Sequence, residues 1–118
     1  MQTQLQNQTK AMLASYIQAL AGNQDLDTLL NNYNDNAVFY TPDSVYRGIS
    51  EIRTFFNSFL KTMPEDMHKA FHIMWQETTA ETAHVVWKAD PFIPLGTDTF
   101  VFRDGKISVQ TFSTHIVA

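Results

Sequence analysis

Asp98 is the residue of this sequence with the clearest potential for chemistry. It stands in Leu95-Gly-Thr-Asp-Thr-Phe-Val-Phe102, a segment that predicts a β-strand. Because side chains alternate along a strand, Asp98, Phe100 and Phe102 are expected on one face. A carboxyl in line with two aromatic rings lies either in water near a strand start or in an apolar site. An apolar site raises the carboxyl pKa, and the protonated acid can then donate a hydrogen bond.

The histidines offer a weaker signal. His68 and His72 are four residues apart, a spacing that suits a metal only on a helix. The segment Phe71-His-Ile-Met-Trp75 predicts a strand, in which residues four apart are too distant for comfortable chelation. With no third ligand in view, we predict neither a metal nor a cofactor.

The composition limits the classes of function. The chain has 118 residues, of which 44% are hydrophobic and 13% aromatic, including nine Phe. This predicts one domain over residues 1–118 with a thick core or an apolar cavity. The net charge is −4 without a basic run, which argues against nucleic-acid binding. The absence of cysteine excludes disulfides, thiolate nucleophiles and Cys-type zinc sites.

The N-terminal segment is polar and lacks the pattern of a signal peptide. No apolar stretch approaches the roughly 20 residues that a membrane span requires. Together with the lack of cysteine, these features predict a cytoplasmic protein with no membrane contact.

Helical spacing of apolar residues predicts a first helix from about residue 4 to 21, with Gly22 as its stop. Asp25 is expected to cap a short second helix whose inner side carries Leu26, Leu29, Leu30 and Tyr33. Asn34-Asp35-Asn36 is expected to break it, before a strand at 37–41 that Pro42 ends. After a short extended segment at 44–47 and a turn at Gly48, Ser50 is expected to cap a third helix. Its apolar stripe runs from Ile52 to Met63, and Pro64-Glu-Asp66 closes it.

The remainder predicts four strands, at 72–79, 83–89, 95–102 and 106–116, with a loop at 90–94. Asp104-Gly105 is the strongest hairpin signal. Helices followed by antiparallel strands predict an α+β domain, with three helices on one face of a curved sheet enclosing a pocket. In the strand at 83–89, the face with Val85, Trp87 and Ala89 is more apolar than the face with Val86 and Lys88.

Four local patterns carry a resemblance to a known family. The chain resembles the nuclear-transport-factor-2-like superfamily, in particular its SnoaL-like and ketosteroid-isomerase-like members, over nearly its whole length. The patterns are Tyr16-Ile-Gln-Ala-Leu20 followed by Asp25-Leu-Asp27; Tyr33-Asn-Asp-Asn-Ala-Val-Phe-Tyr-Thr-Pro42; Tyr46-Arg-Gly48 leading into Ile52-Arg-Thr-Phe-Phe56; and Asp98-Thr-Phe-Val-Phe-Arg-Asp-Gly-Lys-Ile107.

The resemblance implies a cone in which three N-terminal helices pack in the concave face of a strongly curved, mostly antiparallel sheet. It implies a pocket at the open end and a homodimer through the outer sheet face. In the ketosteroid-isomerase members, a carboxylate base moves a proton while a Tyr and a protonated Asp stabilise a dienolate oxygen. Tyr16 and Asp98 match the Tyr and the protonated Asp, so the resemblance implies that they are catalytic and face the pocket.

Thr41 occupies the position of the carboxylate base. A threonine hydroxyl is not a general base near neutral pH without an activating partner. Asp43 and Asp90 are the foremost replacement candidates. Glu77, His72 and His115 are further ones, and His115 is alternatively a dimer contact.

The aromatic residues exceed what a small core requires, so some are expected to line a pocket for a flat apolar ligand, with isolated polar points such as Thr99 and Thr114. The family register places Lys88 inside, where an ion pair with Asp98 or Asp90 would lower the carboxyl pKa. The expected substrate-binding residues are Phe39, Thr41, Phe55, Phe56, Phe59, Trp75, Lys88, Phe100, Gln110 and Phe112.

The leading functional hypothesis is binding of a small hydrophobic carbonyl compound, steroid-like or polyketide-like, with isomerisation by proton transfer as its enzymatic form. One alternative is a binding or carrier module without turnover. The other is a protein-interaction module, for which Val85, Trp87, Ile107 and Val109 would form an outward apolar patch.

Overall fold

The computed structural model describes residues 4–21, 25–62 and 67–116, which form an α+β domain. The predicted stop at Gly22 and the predicted end of the third helix at 63–66 lie outside these ranges. The elements in chain order are α1 (Gln4–Ala21), α2 (Leu26–Leu30), β1 (Tyr33–Tyr40), β2 (Val45–Arg47), α3 (Gly48–Thr62), α4 (Met67–Ala70), β3 (Phe71–Thr79), β4 (Thr82–Ala89), β5 (Ile93–Arg103) and β6 (Lys106–His115).

The three predicted helices form, but α2 ends at Leu30, and Tyr33, which was expected on its inner side, begins β1. Asp25 caps α2, because its Oδ1 accepts from the Thr28 amide at 2.8 Å. The third helix begins at Gly48 (φ 82°) rather than at Ser50. There Glu51 Oε1 accepts from the Arg47 amide at 2.8 Å, which satisfies a donor at the helix start. The short helix α4 was not predicted. None of the described helices is long and apolar enough to cross a membrane.

The strands form a six-stranded sheet in the order β2-β1-β6-β5-β4-β3, curled around the helices but not closed. The β1–β6 pair is parallel and the other pairs are antiparallel, so the expectation of a mostly antiparallel sheet is confirmed. Asp104 and Gly105 turn the β5–β6 hairpin with φ values of 54° and 81°. Two positive φ values are those of a type I′ turn, which matches the twist of the flanking strands.

Two strands are longer than the sequence predicts. β1 starts at Tyr33 and includes Asn34-Asp35-Asn36, which was expected to be a break. The pairing of β1 with β6 shifts register between Tyr33 and Val38, and the Asn34 side chain donates to the Arg103 carbonyl at 3.1 Å. The irregular pairing therefore accommodates the polar residues inside the strand. β5 starts at Ile93, within the predicted loop.

The concave face of the sheet carries the core. Val85, Trp87 and Ala89 on β4 are buried, as their apolar pattern indicated, and Ile107 is buried with them, so these residues do not form the outward apolar patch that the interaction-module alternative requires. The large apolar side chains of β4 take the inner face because their burial removes the most apolar surface from water. Val86 and Lys88, which alternate with them, lie on the outer face.

A β-bulge in β3 decides the position of Trp75. Ile73 pairs with Trp87 on the inner side, but the register shifts before Trp75, which pairs with Val86. The extra residue, Met74, reverses the alternation, so that Trp75 lies on the outer face with 52% of its surface exposed.

Candidate functional site

Asp98 lies on the concave face of β5 with only 4% of its surface exposed, in line with buried Phe100 and Phe102. The Trp87 indole Nε1 donates to its Oδ2 at 2.7 Å, and the Gln110 amide Nε2 donates to its Oδ1 at 2.8 Å. Both carboxyl oxygens therefore accept hydrogen bonds from N–H groups, which is the arrangement that an ionised carboxylate requires.

The hydrogen bonds of Asp98 extend into a wider buried network. The Gln110 amide also donates to the Tyr16 hydroxyl at 3.1 Å, and the Tyr33 hydroxyl donates to the Gln110 carbonyl oxygen. The rings of Tyr16 and Tyr33 meet edge to face, with their centroids 6.2 Å apart. We call Tyr16, Tyr33, Trp87, Asp98 and Gln110 the Asp98 network. Its members come from α1, β1, β4, β5 and β6, so only the folded chain brings them together.

Burial raises the pKa of Asp98 from 3.8 to about 7, against the opposing effect of the Gln110 and Trp87 hydrogen bonds. Burial, with the charge of Asp98, also raises the pKa of Tyr16 and of Tyr33, so both remain hydroxyls at neutral pH. A carboxyl with a pKa near 7 has both its forms available at neutral pH, which is what proton transfer needs.

A cavity of about 300 Å³ opens beside this network. Aromatic rings form its walls, and two threonines and an aspartate supply its polar points. It lies between the β1–β2 turn, α3 and the end of β6. The lining residues are Thr41, Pro42, Asp43, Tyr46, Phe55, Phe59, Phe112, Thr114 and Ile116.

Phe112 separates the cavity from the Asp98 network. It pairs with Asp98 across the β5–β6 ladder, and its ring centroid is 6.3 Å from that of Trp87. On its other side it contacts Phe55 and Phe59, each with a centroid distance of 5.3 Å. Asp98 therefore lies behind the cavity wall, and neither Asp98 nor Tyr16 lines the cavity, whereas the resemblance placed both in a pocket.

The predicted substrate-binding residues fall into four groups. Thr41, Phe55, Phe59 and Phe112 line the cavity, and Gln110 belongs to the Asp98 network. Phe39, Phe56 and Phe100 are buried in the core behind these residues. Trp75 and Lys88 lie on the outer face of the sheet, away from the cavity.

The family register expected for Lys88 is not the one that forms. Lys88 alternates with buried Trp87 and Ala89, and its Nζ forms an ion pair with Asp90 Oδ2 at 3.0 Å. Both side chains are partly exposed, at 37% and 55%. Lys88 is therefore no counterion for Asp98, and this removes the electrostatic argument for a lowered Asp98 pKa.

Among the candidate bases, Asp43 lines the cavity. Thr41 shapes the turn that places it there, since its Oγ1 accepts from the amides of Asp43 and Ser44 at 3.3 and 3.0 Å and donates to the Ser44 carbonyl. The other candidates, Asp90, Glu77, His72 and His115, are exposed and do not line the cavity.

Thr99, expected as a polar point in the pocket, lies on the outer face, where its hydroxyl bonds His84 Nδ1 at 2.8 Å. Within the described ranges, no group of three His, Asp or Glu side chains is placed to hold a metal ion. The side chain of His68 lies outside the described part of the chain.

Sequence reasoning missed three contributors to the site. Tyr46 lines the cavity, and Tyr33 and Trp87 join the Asp98 network. The apolar alternation of Val85, Trp87 and Ala89 indicated that Trp87 is buried, but nothing in the sequence marked its N–H as a partner of Asp98. A buried Trp usually finds an acceptor, and that rule was the available signal.

An open, curled sheet wrapped around helices is the fold of the nuclear-transport-factor-2-like proteins, and here it carries a buried polar network and a cavity on its concave side. The family model of the SnoaL-like domain matches residues 13–110, and the chain belongs to that family. No protein with a curated description matches this chain.

Solved structures agree with this fold. An NTF2-like protein of unknown function from Burkholderia xenovorans LB400 has a TM-score of 0.75 at 16% identity, over 95% of this chain and 86% of that one. A candidate ketosteroid isomerase from Kribbella flavida DSM 17836 has 0.72 at 15%, over 96% and 82%. A candidate polyketide cyclase from Sinorhizobium meliloti has 0.71 at 19%, over 86% and 93%. At these identities the likeness shows the fold alone.

Proposed function

We propose that this protein binds a small, uncharged hydrophobic carbonyl compound in the cavity and that Asp98 transfers a proton to or from it. The observation that carries the proposal is the position of Asp98. Among the described residues it is the one acidic side chain that is buried, and it stands directly behind the cavity wall. A buried acid with a raised pKa beside a cavity indicates a functional site.

The cavity supports an uncharged ligand of modest size. Its volume of about 300 Å³ is at the lower end of the usual range for ligand sites. Its walls are mainly aromatic, and among the described residues that line it none is Lys or Arg. An anionic ligand would find no counterion there and would meet the carboxylate of Asp43. Thr41 and Thr114 offer hydroxyls to a polar end of the ligand.

The proposed step is enolisation followed by reprotonation. The carboxylate of Asp98 removes a proton from the carbon next to the ligand carbonyl, the C–H electron pair forms a C=C bond, and the carbonyl π pair moves to oxygen. The Tyr16 hydroxyl, which shares the Gln110 amide with Asp98, stabilises the resulting enolate oxygen. When the ligand is a β,γ-enone, Asp98 then returns the proton to the γ carbon of the dienolate. The oxygen electron pair re-forms the C=O bond and the remaining C=C bond lies between the α and β carbons, so the product is the α,β-enone. Because Phe112 stands between cavity and carboxyl, its ring has to rotate when the ligand enters.

The test is the exchange of ketone α-protons in D₂O, followed by proton NMR with cyclohex-3-en-1-one and larger bicyclic β,γ-enones. Asp98→Asn is expected to lower the exchange rate by about 10²-fold or more, which is the usual contribution of a general base. Lys88→Met is the control, since Lys88 is on the outer face. Exchange that persists in Asp98→Asn contradicts the role of Asp98.

A second function, ligand binding without turnover, is favoured by a separate observation. Both oxygens of Asp98 already accept hydrogen bonds, and neither Asp98 nor Tyr16 lines the cavity. If the enones bind to the wild-type protein, as seen by ligand-observed NMR, but no α-proton exchanges, the protein is a binding module. Loss of binding in Phe59→Ala would then locate the ligand in the cavity.

We also propose a homodimer through the outer face of the sheet. This face carries three large apolar side chains that are about half exposed, Trp75 at 52%, Leu95 at 47% and Tyr40 at 43%. An apolar surface of this kind is typical of a site at which another copy of the chain packs.

A further inference from the structure

Gly96 faces the Trp87 indole across the β4–β5 ladder. Its backbone does not have a positive φ, so the conformation of the strand does not require glycine. A Cβ at this position would lie 2.4 Å from Trp87 Cε2, 2.5 Å from Cζ2 and 2.8 Å from Cδ2. These distances are far below van der Waals contact, so the indole occupies the space that any other residue at position 96 would fill.

The indole has little freedom to yield. Trp87 is only 2% exposed, and its ring packs against Phe71 and Phe112 with centroid distances of 5.0 and 6.3 Å. Its Nε1 reaches Asp98, two residues along β5 from Gly96 on the same face. The ring therefore lies along the strand from position 96 toward position 98. A displacement by a Cβ would move the N–H relative to the carboxyl.

We propose that Gly96 is a positioning residue, which leaves the space for the Trp87 indole so that the indole N–H is held against one oxygen of Asp98. A role of Gly96 in catalysis rests on the proposed function, whereas the effect of Gly96 on the hydrogen bond of Asp98 does not. The titratable side chains of the Asp98 network are Tyr16 from α1 and Tyr33 from β1, and neither is ionised near neutral pH. A change in Asp98 titration therefore reports on its N–H donors.

The experiment is a carboxyl ¹³C NMR titration of Asp98 in four proteins: wild type, Gly96→Ala, Trp87→Phe and Thr97→Ala. Trp87→Phe keeps an aromatic ring but removes the N–H. The Thr97 side chain is the control, because it points to the other face of the same strand. Gly96→Ala and Trp87→Phe are both expected to raise the Asp98 pKa by about one pH unit, since a hydrogen bond to the carboxylate is lost. Thr97→Ala is expected to leave it unchanged.

Two further readouts separate positioning from a general loss of stability. The indole N–H proton resonance of Trp87 is expected to move in Gly96→Ala toward that of exposed Trp75, the other tryptophan of the chain. In the double variant of Gly96→Ala with Trp87→Phe, the Asp98 pKa is expected to match that of Trp87→Phe alone, because both changes remove the same hydrogen bond.

The proposal is overturned if Gly96→Ala folds and keeps both the wild-type Asp98 pKa and the wild-type indole resonance. It is also overturned if Trp87→Phe leaves the Asp98 pKa unchanged. Gly96→Ala alone could fail to fold, in which case the double variant with Trp87→Phe decides. If the double variant folds, the proposal is supported. If Trp87→Phe folds by itself but the double variant does not, the proposal is overturned. None of these outcomes depends on turnover, so failure of the proposed function is seen separately in the exchange assay.

Discussion

The raised pKa of Asp98 predicts that the protein loses stability as pH rises. Asp98 binds its proton more tightly in the folded chain, with a pKa of about 7, than in the unfolded chain, where the value is 3.8. Its contribution to the free energy of unfolding is therefore complete below about pH 4. It declines as pH rises and is lost above about pH 7. The whole contribution is roughly 4 kcal/mol, at about 1.4 kcal/mol per unit of pKa.

Asp98→Asn isolates this contribution, because the amide has nearly the same shape but does not titrate. In the variant, the amide NH₂ group faces the N–H of either Trp87 or Gln110, so two donors meet and one loses its acceptor. This lowers the free energy of unfolding by about 1–3 kcal/mol at every pH. The difference in unfolding free energy between wild type and variant then changes with pH through Asp98 alone. From pH 5 to pH 8, we expect the free energy of unfolding of the wild type to fall by about 2.5 kcal/mol relative to that of Asp98→Asn.

The assay is urea unfolding of both proteins at half-unit pH steps, at one protein concentration, because association would add its own stabilisation. With a urea slope of about 1–3 kcal/mol per molar, the difference between the two unfolding midpoints is expected to shift by about 0.8–2.5 M. A difference that does not change with pH would refute the argument, since Asp98 would then titrate alike in both states. A difference that grows with pH would mean that the Trp87 and Gln110 donors outweigh burial.

Four further outcomes follow from the geometry. Asp25→Ala should lower the free energy of unfolding by about 1 kcal/mol, measured by chemical denaturation, because it removes the cap of α2. Phe112→Ala should lower the free energy of unfolding by about 3–5 kcal/mol. Because it also removes the wall between Asp98 and the cavity, it should move the Asp98 pKa back toward its ordinary value in an NMR titration. Lys88→Met should leave ligand affinity in calorimetry unchanged, and an affinity that changes would place Lys88 in the site after all. If the proposed homodimer forms, the wild type should be a dimer and Trp75→Glu a monomer in light scattering, and a wild-type chain that is already monomeric would refute the proposed interface.

The sequence predicted helices and strands well where the apolar residues recur with a single helical or alternating period. The helical spacing of Leu13, Tyr16 and Leu20 indicated α1, and alternation placed Asp98 and Phe100 on one face, which is buried in the structure. In these segments the hydrophobic pattern and the local backbone preference agree. In β4 the apolar pattern indicated that Trp87 lies inside, whereas the family register placed Lys88 there, and the structure agrees with the pattern.

The pattern failed where an irregularity interrupts the period. The bulge at Met74 exposes Trp75, although its size and aromatic character predict burial. Asn34-Asp35-Asn36 has turn-like composition, but the register shift against β6 keeps it in a strand. Both outcomes depend on how a neighbouring strand pairs, and the composition of a single strand carries no record of that pairing.

The sequence by itself determined most of the helices and strands and the presence of an acid on the aromatic face of β5, because these follow from periods of a few residues. Only the tertiary structure decided what that acid touches. Gln110, which joins Asp98 to Tyr16, is 94 positions from Tyr16 in the chain. Cross-strand register and the direction of the Trp87 ring bring these groups together, and they also place Phe112 between the acid and the cavity. Such contacts are set by the packing of distant segments, so local sequence cannot specify them.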